Sequence, residues 1–407
     1  MSGPQRAGLV ALAVLLQAGL AIHAMRGNSA TFDEGAHLPA GYTHLVLGDH
    51  RLNPEQPPLV KLLAAAPLVA LRPQLKLADV SWSEARQWEF GRRFLYRWND
   101  ADSLLFLGRL PVVLLASGLV VAVFLAAERR FGTAAALAAA GLAALNPEVL
   151  AHGSLVTTDL AFALFYFLAA LAFERLLERA TPWRVVAAGL ATGAAFATKF
   201  SAPVLLVVFA AFALGKRTLR ASALLAAVGA LVLLVVWASY GFRGALTPDP
   251  ALRAELRQPL LAEQASLLRG AVAWAGRASV VPEDYARGLL FVAEHSAARP
   301  TFLLGERRDG GFPAYFAVTF LLKTPVPLLL LTALALARIP RLPRGDALFL
   351  WLPVVIYLAA TATRSLQIGH RHLLPVYPFL FVAAGEAAVA LARWRPAKVS
   401  GYRDPGA

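Results

Sequence analysis

"LGRLPVVLLASGLVVAVFLAAERRFGTAAALAAAGLAALNPEVLAHGSLVTTD", residues 107–159, decides how the whole chain is read. Two apolar runs, 107–127 and 133–150, flank the basic pair Arg129 and Arg130. The second run leads into "NPEVLAHGSLVTTD", which contains no Lys or Arg. A hydrocarbon layer of roughly 30 Å is crossed by about 20 mostly apolar helical residues. Basic residues collect on the cytoplasmic side of such helices. The stretch therefore reads as two membrane spans joined by a cytoplasmic turn, with the following connection on the opposite face.

The pattern continues in both directions. Further spans are expected near 8–25, 160–178, 185–199, 202–215, 221–240, 312–337, 346–362 and 373–392, giving about ten in all. Arg6 precedes the first; "ERLLERATPWR", "GKRTLR", "RIPRLPRG" and "RWRPAK" follow later ones. If the chain alternates, all these basic clusters fall on one face and both termini are cytoplasmic. The first span has the basic residue and apolar core of a signal peptide, but only a vague small-residue pattern near Ala24, and is read as retained.

Composition agrees. Of 407 residues 58% are hydrophobic and 16% charged, where soluble domains carry about 25% charged residues. The formal charge of +14 lies mostly in the short clusters between apolar runs, so it reads as a topology signal and not as a nucleic-acid surface. There is no cysteine, which excludes disulfides, thiolate metal sites and a thiol nucleophile. The fold class expected is an all-α polytopic helical bundle over residues 1–392, with a cytoplasmic tail at 393–407.

Two long loops lie on the non-cytoplasmic side, 25–106 and 241–311. The first begins with "TFDEGAHLPAGYTHL" (31–45) and continues through an apolar segment near 57–71, too short to span and read as interfacial or re-entrant. "SWSEARQWEFGRRFLYRW" follows, with Trp82, Trp88, Tyr96 and Trp98 interleaved with arginines, as in a helix lying among lipid headgroups.

Ionisable residues at membrane depth are costly and mark functional candidates. On the non-cytoplasmic side they are Asp33, Glu34, Glu55, Glu148 and Asp159, with Lys61, Arg109, Lys199, Lys323, Arg364, His370 and Arg371. The cations run against the charge rule for outer connections. Structural readings stand beside the functional ones. Thr31 and Glu34 have the spacing of a capping box, Asp33 and Asp159 fall in first helical turns, and Arg109, Lys199 and Lys323 could snorkel. His37 and Glu55, with Asp33, could hold a divalent metal, though His37 reads first as a hydrogen-bonded structural histidine. Carboxylates beside cations at a membrane surface suit a sugar carried on a polyprenyl phosphate. A carboxylate takes the proton of an acceptor hydroxyl, and cations stabilise the departing phosphate. No G-x-G-x-x-G follows a predicted strand, so no nucleotide site is expected.

"FDEGAH…NPEQPPLVKLL", "LVTTDLAFALFYFLA", "GLATGAAFATKFSAP", "FAVTFLLKTPVPLLLL" and "GHRHLLPVYPFL" together resemble the GT-C glycosyltransferases of the protein O-mannosyltransferase and aminoarabinose-transferase superfamily. The resemblance implies an integral membrane glycosyltransferase, inverting, using a polyprenyl-phosphate sugar and a hydroxyl acceptor on the outer face of a bacterial plasma membrane. It implies Asp33 as base, Glu34 as its support and Asp159 as the second acidic residue. It assigns Glu55 to the acidic position before Pro57–Pro58, which joins a metal in some relatives. Arg109, Lys199, His370 and Arg371 fall at positions facing the donor phosphate, with Lys61, Lys323 and Arg364 as further cations on that face. Gln56 stands where relatives of the aminoarabinose type carry a basic residue, and the chain lacks their large C-terminal domain. The rival reading, a transporter or lipid flippase, requires charges spread toward the midplane, whereas here they gather at one face.

Overall fold

The computed structural model describes residues 2–216, 221–244, 247–264, 266–295, 300–362 and 367–394. Helix α1 spans Gly3–Arg26 and α2 spans Glu34–Leu47. Four short helices, α3 to α6, follow at Leu59–Ala65, Leu68–Leu71, Val80–Ser83 and Gln87–Arg93. The long α7 (Ala101–Ala144) is two helices meeting at Gly132, whose φ of 80° breaks the helical path. That break lies in the basic turn expected between the second and third spans. Then come α8 (Pro147–Gly153), α9 (Asp159–Glu178), α10 (Pro182–Phe196), α11 (Val204–Lys216) and α12 (Ala221–Ser239). Three amphipathic helices, α13 (Pro250–Leu261), α14 (Leu267–Arg277) and α15 (Glu283–His295), precede a hairpin, β1 Pro300–Leu303 paired antiparallel with β2 Glu306–Asp309. The chain closes with α16 (Tyr315–Lys323), α17 (Val326–Ala337), α18 (Arg344–Ala362) and α19 (Tyr377–Arg393).

Among the described residues five helices are long and apolar enough to cross a membrane: α1, α7, α9, α18, and a helical stretch His370–Arg393 that includes α19. A sixth is counted if α16 and α17 form one broken span. The expected span at 312–337 is therefore not continuous; its two halves meet at 118°. Pro325 is the cause: it disfavours helical backbone at the preceding residue, and Thr324 is extended at ψ 131°. α11 and α12 are shorter apolar helices.

The bundle core forms around α9. Its Phe162, Tyr166, Phe167 and Phe173 are fully buried among α11, α18 and α19, and the Tyr166 hydroxyl donates to the Pro353 carbonyl oxygen at 2.9 Å. One end of the bundle is tied by ion pairs: Arg6 with Glu128, Arg129 with Glu178, Arg130 with Glu174 and Asp346, and Arg338 with Glu386. Arg109 lies on α7 about 30 Å away along the helix from Arg130, at 1.5 Å per residue. Arg6, Arg129, Arg130 and Arg338 thus share one end, and Arg109, with the loop 25–106 that it contacts, lies toward the other. That loop is folded, not merely draped. Of its aromatics Trp82 is buried against Phe90 and Arg51, while Trp88 and Tyr96 are exposed. Backbone contact is intimate at Gly41, where a Cβ would stand 2.1 Å from the Lys61 carbonyl oxygen, and at Gly91, 1.7 Å from that of Gly35.

Candidate active site

The site is founded on Glu34, which is fully buried. Its Oε1 accepts from Arg109 Nε at 2.8 Å and the Val156 amide at 2.9 Å; its Oε2 accepts from Arg109 Nη2 at 2.8 Å and from the Thr31 amide and hydroxyl at 2.9 and 3.0 Å. Burial raises its pKa, but the bonds to Arg109, Thr31 and Val156 together outweigh burial, so the carboxyl lies below its ordinary value and is ionised. Arg109 spends its remaining donors on the carbonyls of Met25, Asn28 and Ser29. Both side chains are therefore committed. Arg109 is 1% exposed and does not line the cavity described below, so it ties the ends of α1, α2 and α7 together and neither snorkels nor faces a donor phosphate.

Half of the capping box at Thr31–Glu34 is present. Glu34 reaches back to the Thr31 amide, but the Thr31 hydroxyl donates to Glu34 instead of accepting from the helix. Asp33 takes the N-cap position of α2 with no side-chain capping bond. Its carboxylate is left for other partners.

It joins a chain of ion pairs whose other members come from three distant segments. Arg371, in the 3₁₀ turn His370–Val376, donates through Nη1 to Asp33 Oδ2, and its Nε stands 3.7 Å from Asp159 Oδ2. Lys199, in the break between α10 and α11, donates to Asp159 Oδ1. The result is a four-membered chain, Asp33–Arg371–Asp159–Lys199. Asp159 and Lys199 are buried, and Asp33 and Arg371 retain about a quarter of their side-chain exposure. Asp159 makes no cap of its own helix; the N-cap is Thr158, without a side-chain bond.

The other expected residues are placed apart from this chain. His37 lines the cavity and its Nδ1 is 2.9 Å from the Val156 carbonyl oxygen. Glu55 accepts from Gln87 and Asn53 at 2.7 and 2.8 Å. Among the described residues no group of three or more His, Asp and Glu side chains is disposed to hold a metal ion, so the pairing of His37, Glu55 and Asp33 around one does not fit. Lys61, 1% exposed, donates to Asn53 O and Oδ1 and to Gln56 O, three acceptors that match its three donors and pin the "NPEQ" turn. Lys323 is exposed and lies outside the cavity lining. His370 bonds the Tyr377 hydroxyl at 2.6 Å, and that hydroxyl also bonds Thr324 at 2.7 Å. Arg364 lies outside the described residues.

Asp33, Asp159, Lys199 and Arg371 open onto a cavity of about 680 Å³. Its lining is mixed: polar side chains come from the first long loop, with His37, Asn53, Glu55 and Gln56, and apolar ones from Val204 of α11, Leu289 and Val292 of α15, Phe316 of α16 and Ala360 of α18. Phe32, Trp88, Thr158 and His372 also line it, and no charge pattern in the sequence singles them out.

The second long loop supports the wall. At Gly288 a Cβ would lie 2.5 Å from the Pro54 carbonyl oxygen, so α15 abuts the "NPEQ" turn directly. One turn earlier Asp284 is buried, with Arg287 at 3.6 Å. Burial, against the pull of Arg287, pushes Asp284 up to about 8. An unfolded Asp titrates near 3.9, so between roughly pH 4 and 8 the folded chain holds a proton the unfolded one has lost. The contribution of Asp284 to stability therefore falls as pH rises through that window and is level above it. The melting temperature of Asp284→Asn relative to that of the wild type is expected to rise from pH 5 to pH 8; a difference that does not change with pH would refute the assignment.

Residues 102–240 match the sequence profile of the dolichyl-phosphate-mannose-protein mannosyltransferase family. No curated protein sequence matches the chain. The crystal structure of ArnT from Cupriavidus metallidurans in the apo state superposes with a TM-score of 0.62 at 18% identity, covering 96% of this chain and 60% of that one. ArnT bound to undecaprenyl phosphate gives 0.62 at 17%, covering 97% and 61%. The Archaeoglobus fulgidus oligosaccharyltransferase AglB, in complex with an inhibitory peptide and a dolichol-phosphate, gives 0.54 at 16%, covering 97% and 53%. The chain thus spans about three fifths of the length of ArnT and half that of AglB. With its helices in the order and packing of those enzymes, and its motifs in the order expected from sequence, the chain carries the fold of the GT-C superfamily of membrane glycosyltransferases.

Proposed function

We propose that the protein transfers a hexose or pentose from a polyprenyl-phosphate carrier to an acceptor hydroxyl, with inversion, on the outer face of a bacterial plasma membrane. One observation carries the reading: the chain Asp33–Arg371–Asp159–Lys199 opens onto a cavity lined by both polar and apolar side chains. A polyprenyl-phosphate sugar has the same mixed character, with an anionic head between a sugar and a hydrocarbon tail. The lipid phosphates named in the ArnT and AglB complexes have this chemistry. The acceptor is a protein, lipid or glycan hydroxyl.

In the reaction Asp33 takes the proton from the acceptor hydroxyl, whose oxygen bonds the anomeric carbon as the bond to the phosphate oxygen breaks. The phosphate leaves with one more negative charge, which Lys199 and Arg371 face. Arg371 is shared between Asp33 and Asp159. A phosphate entering beside Arg371 offers it a further partner and so weakens its hold on Asp33. Asp159 stays with Lys199 and keeps it directed at the phosphate. The basic end of the bundle would face the cytoplasm by the charge rule, leaving the site on the other side.

The test is an assay of the protein in lipid nanodiscs with a panel of undecaprenyl-phosphate sugars and a cell-envelope extract as acceptor source, scored for release of undecaprenyl phosphate. Release from at least one donor is expected. A folded protein that releases none overturns the reading and favours a transporter.

A further inference from the structure

The cavity lining carries a feature that acid–base chemistry does not use. Phe32 and Trp88 stack with ring centroids 4.1 Å apart and an interplanar angle of 28°, and both line the cavity. Yet Phe32 is 74% and Trp88 40% exposed, while Phe90 on the same short helix is fully buried. Rings this exposed contribute little to the packing of the chain itself. Their position is also fixed. Phe32 is the chain neighbour of Asp33, and Trp88 rides on α6, held to α2 by the close approach of Gly91 to the Gly35 carbonyl. The stacked pair is therefore set rigidly beside the carboxylate.

Next to the rings lies a hydrogen-bonding edge without a cation. Glu55 accepts from Gln87 and Asn53, and the Asn53 amide also donates to Gln87 Oε1 at 3.2 Å. The Gln56 side-chain oxygen is buried with no partner among the described residues. The nearby cation, Lys61, is spent on backbone and amide oxygens. A phosphate has no partner here. The arrangement is suited to a ring with one face of C–H bonds and a rim of hydroxyls. The electron-rich aromatic face attracts the C–H hydrogens, while carboxylate and carboxamide groups accept from and donate to hydroxyls.

We infer that Phe32 and Trp88, with Asn53, Glu55, Gln56 and Gln87, form a binding subsite for a neutral pyranose ring. The inference rests on the proposed transfer reaction for its meaning, since the ring belongs either to the donor's own sugar or to a saccharide acceptor. Its binding test stands apart from turnover. The alternative occupant of exposed rings at this height, the lipid headgroup layer, is an outcome of the same test.

The experiment is saturation-transfer NMR on the protein in nanodiscs with methyl α-D-mannopyranoside, methyl β-D-glucopyranoside and methyl N-acetyl-β-D-glucosaminide as probes. Transfer to the ring C–H protons of at least one probe is expected, reduced roughly fivefold or more in Trp88→Leu and Phe32→Leu, the scale of a lost aromatic contact. Trp88→Phe, which keeps an aromatic face, is expected to retain most of the signal. A matching rise in the KM for the donor in Trp88→Leu assigns the ring to the donor; a rise confined to the acceptor KM assigns it to the acceptor. Absence of transfer in the wild type, equal transfer in Trp88→Leu, or quenching of Trp88 fluorescence by brominated phosphatidylcholine without saccharide binding each overturns the inference. Lost saccharide binding with intact undecaprenyl phosphate release would defeat the subsite alone, and saccharide binding without release from any donor would defeat the transferase reading alone.

Discussion

Asp33→Asn is expected to cut turnover of the polyprenyl-phosphate sugar by about 10²–10⁴-fold, the contribution of a positioned general base, while leaving the melting temperature nearly unchanged. The separation follows from how Asp33 is held. Its carboxylate caps nothing, is about a quarter exposed and meets one side chain, Arg371. An asparagine there is the same size and still accepts from Arg371, but cannot take a proton at neutral pH. Asp159→Asn should behave differently. Lys199 and Asp159 are both buried, and removing one charge of a buried pair leaves the other uncompensated. That variant is expected to lose stability and activity together. The measurement is a pair of assays, thermal melting and release of undecaprenyl phosphate, on both variants. If Asp33→Asn keeps full activity while Asp159→Asn loses it at unchanged stability, the base is Asp159. Retention of anomeric configuration in the product would rule out single displacement by either.

The chain's motifs and their order were legible because each depends on a few consecutive residues. The turn at Arg129–Arg130, the connection without Lys or Arg before Asp159 and the break between α10 and α11 all stand where hydropathy and charge put them. The bend between α16 and α17 was readable too, since Pro325 forbids a straight helix, but the apolar run around it masks the signal. The duties of the cations were not legible. A basic residue against the charge rule announces that something holds it, not what. For Arg109 the holder is Glu34, 75 positions earlier, and for Lys61 it is the turn carrying Asn53, whose left-handed φ of 53° turns the side chain's neighbours inward. Lys199 and Arg371 look no different in sequence, yet they meet Asp159 and Asp33 at the cavity. Partnership is a tertiary fact. The role of Trp88 was hidden for a related reason: an aromatic among arginines near a bilayer reads as a headgroup contact, and only the fold stacks it on Phe32 at the cavity.

Glu34→Ala is expected to be the most destabilising change among the acidic residues of the first loop, by about 3–5 kcal/mol, the range for removing one partner of a buried ion pair. Five hydrogen bonds are lost at once, and the Arg109 guanidinium, 1% exposed, is left charged with only carbonyl oxygens for company. Arg109→Met is expected to fall in the same range, because it strands the carboxylate and the carbonyls of Met25, Asn28 and Ser29. The double change Glu34→Leu with Arg109→Met should cost less than the sum of the single changes, since no uncompensated charge remains. Acid offers an independent probe. The folded carboxyl of Glu34 lies below its ordinary value, so its contribution is complete above that value and is lost as pH falls through the folded one. Wild-type melting temperature should therefore drop in acid more steeply than that of the double variant. The double variant also separates support from chemistry. If it folds and still releases undecaprenyl phosphate at a substantial rate, Glu34 acts only by setting the entry of α2 and thereby the place of Asp33. If it folds, keeps Asp33 beside Arg371 and yet is inert, Glu34 takes part in the reaction itself, and the division between a base that moves a proton and a neighbour that holds the turn must be redrawn.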